Sequence, residues 1–97
     1  MAEPTGKLLT VVVVTPEKAA FEGAAEFVVL PMFDGELGVL PGRAALIGRL
    51  GAGELRLKTG SAETRFYVEP GFAQVRADVV TVLTAKAIPA ANVTAAA

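Results

Sequence analysis

The chain has 97 residues, nine Lys+Arg against ten Asp+Glu, no Cys and no His, and 53% hydrophobic side chains. That length fits one domain, which buries roughly two thirds of the surface its unfolded chain exposes. The missing Cys and His exclude a disulfide scaffold and a Cys/His zinc site. The near-zero net charge shows none of the basic excess expected of a nucleic-acid binder.

The opening, MAEPTGKLLTVVVV, has no cationic stretch ahead of its apolar run and no clear cleavage site after it, so no secretory leader is expected. No apolar stretch reaches the ~20 residues of a membrane helix. Residues 7–15 form the first expected strand, β-branched from Val11 to Val14 and apolar on both faces. Pro16 ends it, because proline donates nothing to a ladder. Residues 19–22 form a short strand stopped by Gly23. Residues 25–30 form the next, with Phe27 and Val29 facing the core and Pro31 closing it. A Gly-rich loop follows, Asp34-Gly35-Glu36-Leu37-Gly38-Val39-Leu40-Pro41-Gly42. Residues 44–50 are a further strand, and Gly51 and Gly53 bracket a turn.

The clearest hairpin lies between residues 54 and 69. Glu54, Arg56 and Lys58 alternate with Leu55 and Leu57. After Gly60-Ser61, Glu63, Arg65, Tyr67 and Glu69 alternate with Phe66 and Val68. A period of two with one charged face means a half-solvated antiparallel pair, with opposite charges able to pair across it. Pro70-Gly71 turns the chain into residues 72–76, and Ala77-Asp78 turns it again into residues 79–85. Residues 87–97 carry no amphipathic pattern and are broken by Pro89, which reads as a short flexible tail. The expected domain is therefore 1–86. Its fold class is all-β, a small β-sandwich of about ten short, mostly antiparallel strands. Its core holds Val11, Val13, Phe27, Val29, Leu55, Leu57, Phe66, Val68, Val80 and Val82.

Catalytic chemistry finds no support. The only serine, Ser61, sits in a turn with no His to activate it. Gly48-Arg49-Leu50-Gly51-Ala52-Gly53 lacks the Gly-Lys-Ser/Thr ending of a phosphate loop. Asp34 and Glu36 are close in sequence, but nothing marks them as an acid/base pair rather than solvated or partner-facing charges. Lys58 and Lys86 lack the Asp-Lys or Met-Lys-Met setting of a lipoyl or biotinyl carrier hairpin. Interaction is the better-supported class. Residues 11–14, 28–32 and 44–47 are apolar on both strand faces, which fits either a partner-facing surface or strands covered within the sandwich. Gly35, Gly38, Gly42 and Gly71 are assigned to the backbone, through positive φ or close approach.

Three motifs carry a resemblance. Thr15-Pro16-Glu17 leads to Phe21-Glu22-Gly23 after an apolar strand. Val28-Val29-Leu30-Pro31 leads to Gly35-Glu36-Leu37-Gly38 and Leu40-Pro41-Gly42. Gly71-Phe72-Ala73-Gln74-Val75 leads to Val80-Thr81-Val82-Leu83. In this order and spacing, over residues 8–86, the chain resembles the epsilon subunits of F-type ATP synthases. The resemblance implies a ten-stranded β-sandwich in the central stalk of a rotor, non-catalytic and without a cofactor. It implies binding to the gamma subunit and to the membrane c-ring, coupling ion flow to ATP synthesis. It also implies a peripheral place on the cytoplasmic face of a bacterial inner membrane, or the organellar equivalent, with no nucleic-acid partner. By the same resemblance Asp34, Glu36 and Arg43 are the expected c-ring contacts, and Leu40, Ala44, Leu46 and Phe72 the expected gamma contacts.

The sequence departs from the family in three places. Arg43 stands where a His is common, so a fixed cation replaces a titratable ring. Glu69-Pro70-Gly71 stands where Ser-Gly-Gly is frequent. The C-terminal helical hairpin of the family, which can inhibit hydrolysis and in some members binds ATP, has no counterpart in these 97 residues. The expectation is a subunit that couples without braking hydrolysis by that device.

Overall fold

The computed structural model describes residues 8–90. Its strands are β1 (Leu9–Val14), β2 (Ala19–Ala25), β3 (Phe27–Met32), β4 (Gly35–Val39), β5 (Leu46–Leu50), β6 (Gly53–Thr59), β7 (Ala62–Val68), β8 (Gly71–Arg76), β9 (Val79–Thr84) and β10 (Ala87–Pro89). They form one sheet in the order β10-β7-β6-β3-β5-β8-β9-β1-β2, with β4 on β3. Every pairing is antiparallel except β1 with β9. The expected all-β sandwich of ten strands is what folds.

Alternation builds the core. Leu9, Val11 and Val13 of β1, Leu55 and Leu57 of β6, Phe66 and Val68 of β7, Ala73 and Val75 of β8, and Val80 and Val82 of β9 all point inward and are buried. The sheet folds on itself, so β10-β7-β6-β3-β4 make one layer and β5-β8-β9-β1-β2 the other. The layers join where β3 meets β5 through a single residue pair, Met32 with Leu50. They approach again at the far side of the sandwich. There the Glu26 N–H donates to the Lys58 carbonyl at 2.7 Å, and the Thr59 hydroxyl to the Ala24 carbonyl at 3.2 Å.

Five expectations are corrected. In β3 the inward face is Val28 and Leu30, both fully buried, while Phe27 and Val29 lie on the outside, half-buried. Both faces of that strand are apolar, so alternation alone has no basis for choosing between them. Outside, the Phe27 ring lies over Gly38, where a Cβ would stand 3.0 Å from it. Gly23 does not stop β2, which runs on to Ala25 with the Phe21 ring lying over that glycine. The break comes at Glu26, whose carboxylate accepts the Gly60 N–H at 2.9 Å. Pro31 lies within β3, at the bend between layers, where its carbonyl accepts the Gly51 N–H. The segment from Gly35 to Val39 is a strand, not a loop. Finally, the sheet continues past residue 86. Ala87–Pro89 pair with Val68, Tyr67 and Phe66, an edge position that tolerates proline. Lys7, expected to begin the first strand, and residues 91–97 of the expected tail lie outside the described residues.

At the end of the sandwich where β8 begins, the chain has no room to spare. A Cβ on Gly71 would overlap the carbonyl oxygen of Leu83 on the neighbouring strand. Beside it the buried Thr84 hydroxyl donates to the Glu69 carbonyl at 2.7 Å and accepts the Glu69 N–H at 3.1 Å, fixing the Pro70-Gly71 turn. Gly71→Ala is therefore expected to destabilise the fold by roughly 1–3 kcal/mol, because backbone rather than a flexible side chain must move. Chemical denaturation followed by circular dichroism measures this, and an unchanged midpoint would refute the close approach.

Candidate functional site

The two outer faces of the sandwich differ in chemistry. On the β6–β7 layer the face is charged. Arg56 stands directly opposite Arg65 in the register, an arrangement that repels. Each arginine finds a carboxylate elsewhere. Arg65 lies 3.5 Å from Glu54 on the neighbouring strand, and Arg56 reaches past β3 to Glu36 of β4 at 3.1 Å. The cross-strand pairing expected of this hairpin is present in the Glu54–Arg65 pair.

The β5-β8-β9-β1 layer presents an apolar face instead. One row across it reads Arg49, Phe72, Leu83, Val14, and the next Ile47, Gln74, Thr81, Val12. Ile47 is 71% exposed, Phe72 52% and Leu83 48%. Phe33, 67% exposed in the turn after β3, extends the patch, with the Arg49 guanidinium 5.4 Å from its ring centre. That is cation–π range. Shallow depressions flank the patch, one among Phe33, Arg49, Pro70 and Phe72, another among Val14, Pro16 and Leu83. So many large apolar side chains contiguous on one face mark an interaction surface.

Of the four expected gamma contacts, only Phe72 belongs to this face. Leu46 pairs with Val75 and packs against the core, and Leu40 and Ala44 lie exposed in the segment between β4 and β5. Sequence reasoning missed Ile47, Leu83, Phe33 and Arg49. The signal was there in part, since Ile47 alternates with Leu46. Only the register, which sets Ile47 diagonal to Phe72, shows which of the two points outward.

Asp34, Glu36 and Arg43, the expected c-ring contacts, do not form a cluster. Asp34 is exposed in the β3–β4 turn, Glu36 lies on β4, and Arg43 follows the other end of that strand. They are strung along the sandwich edge that β4 forms, over about 20–25 Å at the usual rise of a strand. Glu36 is already held by Arg56, while Asp34 and Arg43 make no ion pair among the described residues. Arg43 belongs to a turn closed by its own N–H on the Leu40 carbonyl at 3.2 Å, with Gly42 at φ 88°. Gly35, at φ 133°, likewise adopts a backbone that favours glycine. Asp78, read from sequence only as a turn residue, reaches this loop. Its carboxylate accepts the Gly42 N–H at 2.7 Å.

Among the described residues no group of three metal-ligating side chains converges, and no helix is long and apolar enough to cross a membrane. The sequence model for the ATP synthase delta/epsilon chain β-sandwich domain matches residues 8–90. The chain is 63% identical over 78 residues to the ATP synthase epsilon chain of Rhodopirellula baltica, covering 80% of this chain and 61% of that one. It is 41% identical over 87 residues to the ATP synthase epsilon chain of a Synechococcus strain, covering 90% and 64%. The chain thus spans somewhat under two thirds of the length of these relatives. Among solved structures, a chain of the Euglena gracilis mitochondrial ATP synthase, determined as an OSCP/F1/c-ring assembly, superposes with a TM-score of 0.79 at 22% identity. That match covers 84% of this chain and 53% of the other, and it shows a shared fold.

The Arg56–Glu36 pair is partly solvated, so its contribution to stability is small. Glu36→Gln is expected to cost no more than about 1 kcal/mol, less still at high salt. Denaturation at low and at high ionic strength checks this. A loss of about 2 kcal/mol or more that persists in salt would show a structural role of another kind.

Proposed function

The chain belongs to the family of the ATP synthase delta/epsilon chain β-sandwich domain, and from that premise we propose that it is a non-catalytic part of the central stalk, passing torque between an ion-driven c-ring and the gamma subunit. The observation that carries this reading is the division of its surface. The apolar face of β5, β8, β9 and β1 suits a permanent protein partner, and the β4 edge, with Asp34, Glu36 and Arg43, suits polar loops. A rotor adaptor needs two separate contacts joined by a stiff body. Here both surfaces are built on strands that share one close-packed core, and such interiors transmit strain rather than absorb it.

The gamma subunit would dock on the apolar face, with Phe72 and Ile47 as central anchors and Leu83 beside them. Large apolar groups at the centre of a patch carry most of the binding free energy once a partner excludes water from them. Arg49, stacked near Phe33, would meet a carboxylate or carbonyl on the partner and set register. The polar loops of the c-ring would meet the β4 edge. There the exposed Arg43 would offer its guanidinium fork to carbonyl or carboxylate oxygens of those loops. The complex would hold the chain peripherally on the membrane face that bears the catalytic head, the cytoplasmic face in a bacterium.

Hydrogen exchange with and without gamma tests the assignment. Protection is expected over residues 46–50, 71–76 and 79–84. Protection confined to the Glu54–Tyr67 hairpin would place the partner on the charged face and overturn it. Ile47→Asp is expected to weaken gamma binding about tenfold or more. Because Ile47 is 71% exposed, the same change should alter folding stability by only about 0.5 kcal/mol.

A further inference from the structure

The turn that carries Arg43 has little to hold it. Residues 40–45 cross from β4 in one layer to β5 in the other, and Leu40, Gly42, Arg43 and Ala44 are exposed or nearly so. Nothing lies within 4 Å of where a Cβ on Gly42 would stand, so side-chain packing does not fix the apex. Its local bond, from the Arg43 N–H to the Leu40 carbonyl, is 3.2 Å long. The contact from outside the segment is the 2.7 Å bond from the Gly42 N–H to the Asp78 carboxylate, 36 residues away.

Asp78 is itself unusually placed. It is the second residue of the two-residue turn between β8 and β9, and both turn residues have positive φ, 51° at Ala77 and 63° at Asp78. That matches the mirror-image turn favoured in tight hairpins, where Asn, Asp and Gly are the tolerated residues. The Asp78 carbonyl also accepts the Thr10 N–H at 2.8 Å, at the start of β1. Its backbone is therefore anchored to two strands of the apolar layer, while its carboxylate reaches across to the Gly42 turn. A charged acceptor makes a stronger bond to an amide than a neutral one does.

We propose that Asp78 is a positioning residue: its carboxylate clamps the Pro41-Gly42-Arg43 turn to the β8–β9 hairpin and so fixes the direction in which Arg43 is offered to the polar loops of the membrane ring. This rests on the reading of Arg43 as a ring contact. The clamp removes conformational freedom from the turn before binding, so less ordering remains to be done when the partner arrives. It also ties the ring-facing edge directly to the layer that carries the apolar docking face.

The test uses two changes that respect the backbone. Asp78→Gly accepts the positive φ and deletes the acceptor, and Asp78→Asn accepts the same φ and keeps a carbonyl oxygen for Gly42. In the isolated full chain, Asp78→Gly is expected to speed amide exchange at Gly42 by about tenfold, while exchange across the core strands stays as in the parent. Asp78→Asn is expected to restore most of the protection. Unchanged Gly42 exchange in Asp78→Gly would overturn the clamp. In the reassembled complex, proton-driven ATP synthesis is then compared for Asp78→Gly, Arg43→Ala and the double variant. The proposal expects Asp78→Gly to lose part of what Arg43→Ala loses, and the double variant to lose no more than Arg43→Ala alone. Additive losses would overturn it, showing that Asp78 acts by another route. If Arg43→Ala leaves synthesis intact, the ring-contact reading fails and the presentation role fails with it, whereas the Gly42 exchange still reports on the clamp itself.

Discussion

The constraint on which this molecule depends is that a single sheet must close over itself to hide one set of alternate side chains. Ten short strands have no other way to bury Leu9, Val11, Val13, Val28, Leu30, Leu55, Val68, Val80 and Val82 together. Once those positions are committed to the interior, the period of two forces their neighbours outward on every strand. The surface is then no longer free to vary. Ile47 is outside because Leu46 and Gly48 are inside, and Phe72 because Ala73 is inside. The apolar face is a direct consequence of register.

The same closure explains the placement of Pro31 and of several glycines. Two layers that meet through one residue pair at the β3–β5 junction leave little slack there, and Pro31 and Gly51 share a bond at that corner. At the β8 end, Gly71 lets the backbone pass against Leu83, and the Thr84 hydroxyl bonds both backbone polar groups of Glu69. At the opposite end polar contacts hold the connecting segments. Asp78 reaches Gly42 there, while Glu26 reaches Gly60 at the β2–β6 approach. Stiffness in such a body comes from the core and from these corners together, and both proposed partner surfaces are mounted on it.

The charged face shows how local repulsion is resolved at longer range. Two arginines opposed across β6 and β7 would be unfavourable if left alone. The diagonal Glu54 relieves one, and Glu36, on a strand two places away, relieves the other. Glu36 therefore enters any partner contact from a prior pairing. A ring loop that engages it must either share it with Arg56 or displace that guanidinium.

The sequence by itself determined the strand content, the charged hairpin from residue 54 to 69, and the inward side chains of every strand with one polar face, because alternation leaves those no choice. The motif order likewise identified the family. It could not orient β3, since Phe27-Val28-Val29-Leu30 is apolar on both faces and either register buries valine. Nor could it recognise the Gly35–Val39 strand, whose glycines imitate a loop and in fact make room, at Gly38, for the Phe27 ring. The membership of the apolar face was out of reach for the same reason, because it is assembled from four strands whose mutual register is a long-range fact. Asp78 is the sharpest case. A turn aspartate looks local in sequence, and only the long-range pairing of β5 with β8, which sets Leu46 against Val75, brings its carboxylate to a glycine amide 36 residues away.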